Sequence, residues 1–489
     1  MSVPTSRIRA LTDIPVRNDG DYVLYWMTSA RRTRYSFALD HAIDYARELQ
    51  VPLVILEALR VDYRWASDRF HQFVLDGMAA NENDLQGAPV LYYPYVEPSV
   101  GAGKGLLAAL SEHACVTVTD DFPSFFLPRM LQAAAGQVKS HLVAVDGNGL
   151  LPLSTSEKLY PTAYVFRRFM QKTLPMHLAM PKAAPFADVT LRTLERLPAS
   201  ITERWPRAPK ERLTRNSNLL AELPVDHSVG RVELEGGSAT AGSFLDRFLE
   251  KRLARYADER HLPDAEADSQ LSPFLHFGHI SVHEVVSRLF ESEGKPFVVE
   301  PGRATGKREG FWGVSGPAES FLDEVVTWRE LGHHTAAHDE NFGTYTSVPG
   351  WARQSLARHA SDPRAHLYSL DELDAAQTSD DVWNAAQMQL KKEGRIHNAV
   401  RMIWGKKVLE WTSCAEETFS VLEELNNRYA MDGRNPNSYS GISWCLGKFD
   451  RPWGPERPIF GVVRYMTTDS AKRKYKLKPY IERYRPGLF

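Results

Sequence analysis

YVLYWMTSARRTRYSFALDHAIDYARELQVPLVIL, residues 22–56, holds two short apolar runs, YVLYWM (22–27) and PLVIL (52–56), separated by SFALDHAIDYARELQ (36–50). In the middle segment Leu39, Ala42, Ile43, Ala46 and Leu49 recur at the spacing of one helical face. The flanking runs show no polar alternation, the pattern of strands buried on both faces. The same alternation continues through VLYYP (90–94), VTVT (116–119) and LVAV (142–145). Helices are expected between them, around 68–83, 103–113 and 127–137. The spacing therefore predicts an α/β domain over 18–180, built on a doubly wound parallel sheet with ligands received at the carboxyl ends of its strands.

GAGKG (101–105) sits inside this domain but is not a phosphate loop. The leading Gly of the Walker pattern falls on Pro98, and Lys104 is followed by Gly105 and not by Ser or Thr. It reads as a loop ahead of a helix. From 181 to 242 the composition loosens into PKAAP, WPRAPK and EGGSATAG, which reads as an inter-domain linker with little helix. Residues 243–489 read as an all-helical domain, opening with SFLDRFLEKRLARYADER, where Leu245, Leu249 and Leu253 share a face.

The 489 residues carry a formal net charge of −2, so nucleic-acid binding would need a concentrated local basic surface. The first twenty residues hold no apolar core of a signal peptide, and no run of eighteen apolar residues could cross a membrane. Three scattered cysteines, Cys115, Cys414 and Cys445, fit a reducing compartment, and a cytoplasmic location is expected. Eight of the eleven tryptophans lie at or after Trp312, more than core packing alone explains.

Several segments of the helical half could carry chemistry. SQLSPFLHFGHIS (269–281) places Pro273 just inside a helix start, with Ser272 expected as N-cap. The free N–H groups of such a start suit a phosphate, but on this segment alone an ordinary capped helix is the first reading. FLDEVVTWRELG (321–332) sets Glu324 and Trp328 at i and i+4. A carboxyl beside an indole could hold a proton through desolvation; alternatively it pairs with Arg329 or another cation. In DVWNAAQMQLKKEGRIHNAVRMIWGKKVLEW (381–411), Trp383 and Trp404 would stand ~31 Å apart on one straight helix. KKEGR (391–395) is a natural break, and folding back there brings the rings close.

HHTAAH (333–338) spaces His334 and His338 as metal ligands can be, but without the Glu of the metalloprotease motif or a nearby thiolate. It reads as a solvated helix end or loop, and no metal is expected. The tail AKRKYKLKPYIERYRPG (471–487) has seven Lys or Arg against one Glu, a solvated basic terminus or an edge that meets phosphates. WCLGKFDRPWGPERP (444–458) holds two tryptophans on a turn braced by prolines, too aromatic for an ordinary solvent loop.

Taken in order, LSPFLHFGHIS, FLDEVVTWREL, WNAAQ with GRIHNAVRMIWGKKVLEW, LNNRYAMDGRNPNSYSG and DRPWGPERPIFGVVRYM resemble the class II cyclobutane pyrimidine dimer photolyases of the photolyase/cryptochrome family. The resemblance is close across 240–489 and looser before it. It implies a light-dependent carbon-carbon lyase that repairs pyrimidine dimers in DNA, with FAD held in the helical domain. By resemblance, Tyr256, Ser269, Gln270, Leu271, Ser272, Arg329, Arg401, Asp432 and Arg434 contact the cofactor. Asn426 stands near the reactive flavin nitrogen. Trp383 and Trp404 relay electrons, with Tyr368 as outer member. Glu324, Trp328, Met402 and Trp444 line the dimer pocket, Glu324 also steadying the dimer during cleavage. Arg451 and Trp453 fill the hole left in the duplex when the dimer flips out.

The resemblance also implies damaged DNA as partner, a monomer, and an N-terminal sheet that can carry an antenna chromophore, a deazaflavin or another. The chain departs from the family at Gly332–His338 and at Asn435, where an amide replaces the commoner carboxylate. A cryptochrome-like photoreceptor that keeps FAD but no longer repairs DNA is the alternative reading.

Overall fold

The computed structural model describes residues 3–487 and divides into two compact units. The first comprises residues 1–156, 176–245 and 271–297; the second comprises 157–175, 246–270 and 298–489.

The first unit is built on six strands: β1 (Ile8–Ala10), β2 (Tyr22–Met27), β3 (Leu53–Leu59), β4 (Leu91–Val96), β5 (Ala114–Asp120) and β6 (His141–Val145), in the order β1-β6-β5-β2-β3-β4. Strands β2 to β6 run parallel as the apolar runs predict, while β1 adds an antiparallel edge paired to β6, which the sequence analysis did not foresee. Its three residues are too few for any period to show. Helices α1 (Phe37–Leu49), α2 (Asp68–Asp84), α3 (Leu106–His113) and α4 (Leu127–Ala135) fall where periodicity places them. Ser36 caps α1 by accepting from the Leu39 N–H.

Alternation along β2 divides the core. Val23, Tyr25 and Met27 pack with Phe37, Leu39 and Ile43 on one face of the sheet. Tyr22, Leu24 and Trp26 pack with Leu106, Leu110 and Leu131 on the other. Successive strand residues point to opposite faces, so both sets can be apolar only if both faces are covered. The 181–242 stretch, expected as a linker, contributes to this packing. Leu197, Ile201 and Trp205 join the second face, and Leu213, Leu219 and Leu223 pack with Val74 and Met78 of α2. Its helices are single turns such as Ala199–Thr202, consistent with its loose composition.

The strand order reverses between β5 and β2, the place where doubly wound sheets receive ligands. Here Asp120 Oδ2, at the end of β5, accepts from the N–H groups of Thr28, Ser29 and Ala30 at 2.8, 2.8 and 3.0 Å. Tyr25 Oη donates to the other oxygen at 2.9 Å. The chain's own carboxylate thus takes the donors that could have cradled an anion. GAGKG is a turn ahead of α3, pinned by Glu97 Oε1 accepting from the Gly103 N–H at 3.1 Å.

The second unit is helical, as expected. Its centre includes a short π-helical turn, Asp323–Trp328, between the helices Gly316–Leu322 and Arg329–His338. Bonding from i to i+5 widens that turn, so the simple i, i+4 register expected for Glu324 and Trp328 is altered. The turn is held from behind by Arg167, on the helix Ala163–Thr173, which donates from Nε and Nη2 to both oxygens of Asp323 at 2.7 and 3.0 Å. Both side chains are buried. Losing one partner of such a pair costs about 3–5 kcal/mol, because the other charge stays buried.

Two local expectations are corrected. HHTAAH is the end of the Arg329–His338 helix, but it is not solvated: His333 and His334 are buried. His334 packs against Tyr160 and Phe166, its Nε2 lies 2.9 Å from the Lys158 carbonyl, and burial pushes its pKa down to about 4. Ser272 is not the N-cap of its helix. The helix Ser272–Phe277 begins with it, Leu271 takes the cap position, and the cap side chain makes no bond. Ser269 and Gln270 end a segment of the second unit, while Leu271 and Ser272 belong to the first.

The basic tail forms the helices Thr468–Tyr475 and Lys478–Arg483 and is partly tied down. Lys472 pairs with Asp381 at 2.7 Å, Arg483 with Asp264 at 2.9 Å, and Tyr480 Oη donates to Gln389 at 2.8 Å. Among the described residues no helix is long and apolar enough to cross a membrane.

Candidate functional site

The helices Asp381–Glu393 and Asn398–Trp411 are two arms of a hairpin broken at Gly394, whose φ of 69° lies in the left-handed region. A side chain there would meet Met431 Cγ at 2.6 Å, so glycine serves both the turn and the close approach. The fold-back brings Trp383 and Trp404 face to face, with ring centroids 6.1 Å apart and planes 9° from parallel. Trp383 Nε1 donates to the Trp404 carbonyl at 2.9 Å, and Trp404 Nε1 to Gln387 Oε1 at 3.2 Å. Both indole N–H groups are therefore satisfied inside the protein.

Trp411 extends this pair and was not singled out from sequence. Its ring lies edge-on to Trp383 at 5.5 Å and to Tyr368 at 5.3 Å. Tyr368, half-buried, is thereby connected to the buried tryptophans through a continuous series of ring contacts. The signal was present in the sequence, since Trp404 and Trp411 are seven residues apart, two helical turns on one face.

One helical turn before Trp404, Arg401 donates from Nη1 to Asp432 Oδ2 at 3.0 Å and from Nη2 to Asn426 Oδ1. The Asn426 amide nitrogen donates to Asn427 Oδ1 at 3.0 Å and to Ser438 Oγ at 3.1 Å. Arg401, Asn426 and Asp432 are thus brought together from three separate segments. Arg434 is also buried, with a positive φ of 64°, but its guanidinium turns to the carbonyls of Asn427 and Ala430 at the end of the helix Ala415–Tyr429. Tyr256 packs edge-on against Phe248 and Phe321, with burial and the neighbouring Glu324 charge raising its phenol. Arg329 opens its helix, and its carbonyl faces His333 Nδ1 at 2.9 Å.

Glu324 is paired with Arg260. Arg260 Nη1 donates to its Oε1 at 2.6 Å, and the same guanidinium lies 5.5 Å from the Tyr256 ring centroid. Of the two readings left open for this carboxyl, the structure shows the ion pair. Arg260 follows Tyr256 by four residues, the one hint in the sequence that both reach the same place.

Met402 and Trp444 lie on two helices that pack together, Asn398–Trp411 and Pro436–Cys445. Met402 Cε lies 3.9 Å from where a Gly441 side chain would begin, one turn before Trp444. The Trp444 ring is half-buried and faces two cations, Lys406 Nζ at 5.0 Å and the Arg464 guanidinium at 5.7 Å. Lys406 is fully enclosed, its nitrogen without a hydrogen-bond partner, and burial pushes its pKa down to about 8. The same Arg464 guanidinium stacks on Trp453 at 4.1 Å, and Arg451 approaches that ring at 4.8 Å. Asp450 accepts from Trp453 Nε1 at 3.1 Å and pairs with Arg464 at 3.0 Å. Sequence reading named Arg451 and Trp453 but missed Arg464, which lies beyond the turn and meets the rings only through folding.

At the other end of the chain, the loops after β3 and β5 bring Trp65 and Phe125 together at 6.1 Å, with Arg64 over the Trp65 ring at 4.1 Å. Trp65 and Phe125 both hold positive φ, 70° and 61°. No residues of this cluster were singled out from sequence. Among the described residues, no group of three or more His, Cys, Asp or Glu side chains is placed to hold a metal ion.

No family model matches the chain. It is 31% identical over 486 residues to the deoxyribodipyrimidine photo-lyase of Methanothermobacter thermautotrophicus, covering 99% of each protein. The same-named protein of Arabidopsis thaliana is 30% identical over 498 residues, covering 98% of this chain and 93% of that one. Among solved structures, a Synechocystis cryptochrome aligns with a TM-score of 0.68 at 14% identity, covering 96% of this chain and 89% of its own. A class III photolyase from Agrobacterium tumefaciens aligns at 0.67 and 18%, covering 96% and 87%. These two likenesses show the shared fold, an α/β domain followed by a helical one. The full-length identity to two photo-lyases, together with that fold, places the chain in the photolyase/cryptochrome family.

Proposed function

We propose that the protein is a class II-type photolyase that uses light to reverse cyclobutane pyrimidine dimers in DNA. The observation that carries this reading is the convergence of roles on one helix, Asn398–Trp411. Its Trp404 stacks on Trp383, its Arg401 holds Asp432 and Asn426, and its Met402 and Lys406 meet the helix and ring of Trp444. An electron route, a polar cluster and an aromatic wall are thereby set within a few residues of each other.

The residues fit FAD, the cofactor of the family. Gln387 Nε2 and Ser440 Oγ are buried without a partner, polar atoms that a bound ligand would satisfy. Bound there in its reduced form, FAD would supply light-driven electron-transfer chemistry with no net redox change. Arg401, Asn426 and Asp432 hold and orient it. Trp404, Trp383, Trp411 and Tyr368 form the path by which it is kept reduced. Trp444 and Met402 give the flipped-out dimer an apolar wall, and stacking on such a ring is worth ~1–3 kcal/mol per base. Glu324, set in place by Arg260, offers the pyrimidine edges a hydrogen-bonding carboxyl.

Flipping two bases out of a duplex leaves a gap and loses stacking of a few kcal/mol. Arg451 and Trp453, stiffened by Arg464 and Asp450, are positioned to fill it. Trp453→Ala is expected to weaken binding of dimer-bearing duplex about tenfold, while binding of dimer-bearing single strands, which have no gap to fill, changes less than about twofold. Titration of both DNAs in the dark measures the difference; equal losses would remove Trp453 from this role.

The proposed activity is tested by illuminating the reduced, FAD-loaded protein with dimer-bearing DNA and measuring restored pyrimidines. Photoreduction without restoration would instead support the photoreceptor reading.

A further inference from the structure

The turn that carries Arg451 and Trp453 is closed on itself by Trp453 N–H donating to the Val462 carbonyl at 2.8 Å and by mutual Arg457–Gly461 backbone bonds of 2.9 and 2.7 Å. Closure alone does not fix its position on the protein. That comes from the helix Gly350–Arg358 and the turn after it. Ser355 Oγ accepts from the Val462 N–H at 3.0 Å, and Asp362 Oδ2 from the Ile459 N–H at 2.8 Å. Between these two anchors stands His359. Its Nδ1 lies 2.6 Å from Asp362 Oδ2, and its Nε2 lies 3.1 Å from Glu456 Oε1, on the turn itself. Gly461 sits close against the ring: a side chain there would come within 2.9 Å of His359 Cδ2.

A neutral imidazole has one N–H and can donate to one carboxylate only. A ring bridging two carboxylates, one at each nitrogen, calls for the doubly protonated cation. We propose that His359 is a positioning residue, an imidazolium clamp that seats the Arg451–Trp453 turn for entry into a duplex. This rests on the reading of that turn as the element that fills the gap left by a flipped-out dimer. His359 does not touch the dimer; it acts through Glu456 and Asp362.

The groups facing the imidazole are Asp362 on its own segment and Glu456 on the turn, with Arg358 also pairing with Glu456 at 3.2 Å and Arg364 close to Asp362. The hydrogen bond to Asp362 raises the histidine above its ordinary value; the Ile459 N–H, and after it the imidazole, lowers Asp362, and the bond to the imidazole lowers Glu456. A raised folded-state pKa means that the clamp is complete below the ordinary histidine range. It is lost as pH rises through the raised value. Because all three groups are close to solvent, the effect on binding is a few-fold.

The test uses the FAD-loaded full chain, binding dimer-bearing duplex and the matching single strand in the dark between pH 6 and 8.5. For the wild type, duplex affinity is expected to fall as pH rises while single-strand affinity stays level. His359→Ala is expected to weaken duplex binding ~3- to 10-fold at pH 6 and to flatten its pH dependence, with single-strand binding within about twofold. Repair per flash at saturating DNA stays at the wild-type level, because the clamp serves docking and not bond cleavage. Should His359→Ala lose FAD or fold poorly, Glu456→Gln on the exposed turn carries the same test, with a smaller loss in the same direction. Variants that keep the wild-type duplex preference and pH dependence overturn the clamp alone. Wild-type protein that holds FAD but shows no preference for dimer-bearing DNA overturns the clamp together with the proposed function.

Discussion

Trp404→Phe is expected to slow photoreduction of the bound flavin about 100-fold, equivalent to ~2.7 kcal/mol on the rate scale, and to leave the proposed dimer repair by chemically pre-reduced protein unchanged. The split follows from the ring geometry. Trp404 and Trp383 lie face to face at 6.1 Å, and Trp404 is one helical turn from Arg401, the hub of the polar cluster proposed to hold the flavin. Phenylalanine keeps an apolar ring in the buried site but is much harder to oxidise, and it leaves Gln387 Oε1 without its donor. Repair by pre-reduced protein does not call on this path. Transient absorption after a light pulse measures the first quantity and restored pyrimidines the second. Equal losses in both would show that Trp404 shapes the flavin site and does not relay electrons.

Trp444→Ala is expected to weaken binding of dimer-bearing DNA about 100-fold, in duplex and single strand alike. One base of the linked pair stacks on this ring in the proposed complex, and such stacking contributes ~1–3 kcal/mol, so up to ~3 kcal/mol is at stake. The half-buried ring is held from behind by the enclosed Lys406 ammonium, 5.0 Å from its centroid, and approached by Arg464 at 5.7 Å. Those cations limit the orientations of the ring, so little of its contact energy is spent on ordering. The loss contrasts with that of Trp453→Ala, which should appear in duplex only. Dark titrations of both DNAs with both variants separate the pocket wall from the wedge. A Trp444→Ala protein that binds single strands normally would move the pocket elsewhere.

The amino-acid pattern alone carried much of this. Strands β2 to β6, helices α1 to α4 and the hairpin break at KKEGR all lie where apolar spacing and a glycine place them, because each is decided by residues within one or two turns of each other. The facing of Trp383 and Trp404 followed from the same local rule: two helices joined at a left-handed glycine return side by side.

What folding decided involves partners far apart in the chain. Residues 181–242 look loose because they form almost no helix, yet Trp205 is buried against β-strand residues more than a hundred positions earlier. Arg260 meets Glu324 across 64 residues, Arg167 meets Asp323 across 156, and His359 reaches Glu456 on a turn it shares no pattern with. Charged side chains obey no period, and long flexible ones such as arginine reach many positions equally well. Local spacing therefore determines where helices, strands and rings form, while only the packed chain selects which cation faces which carboxylate, and that choice sets the protonation and the stiffness of the site.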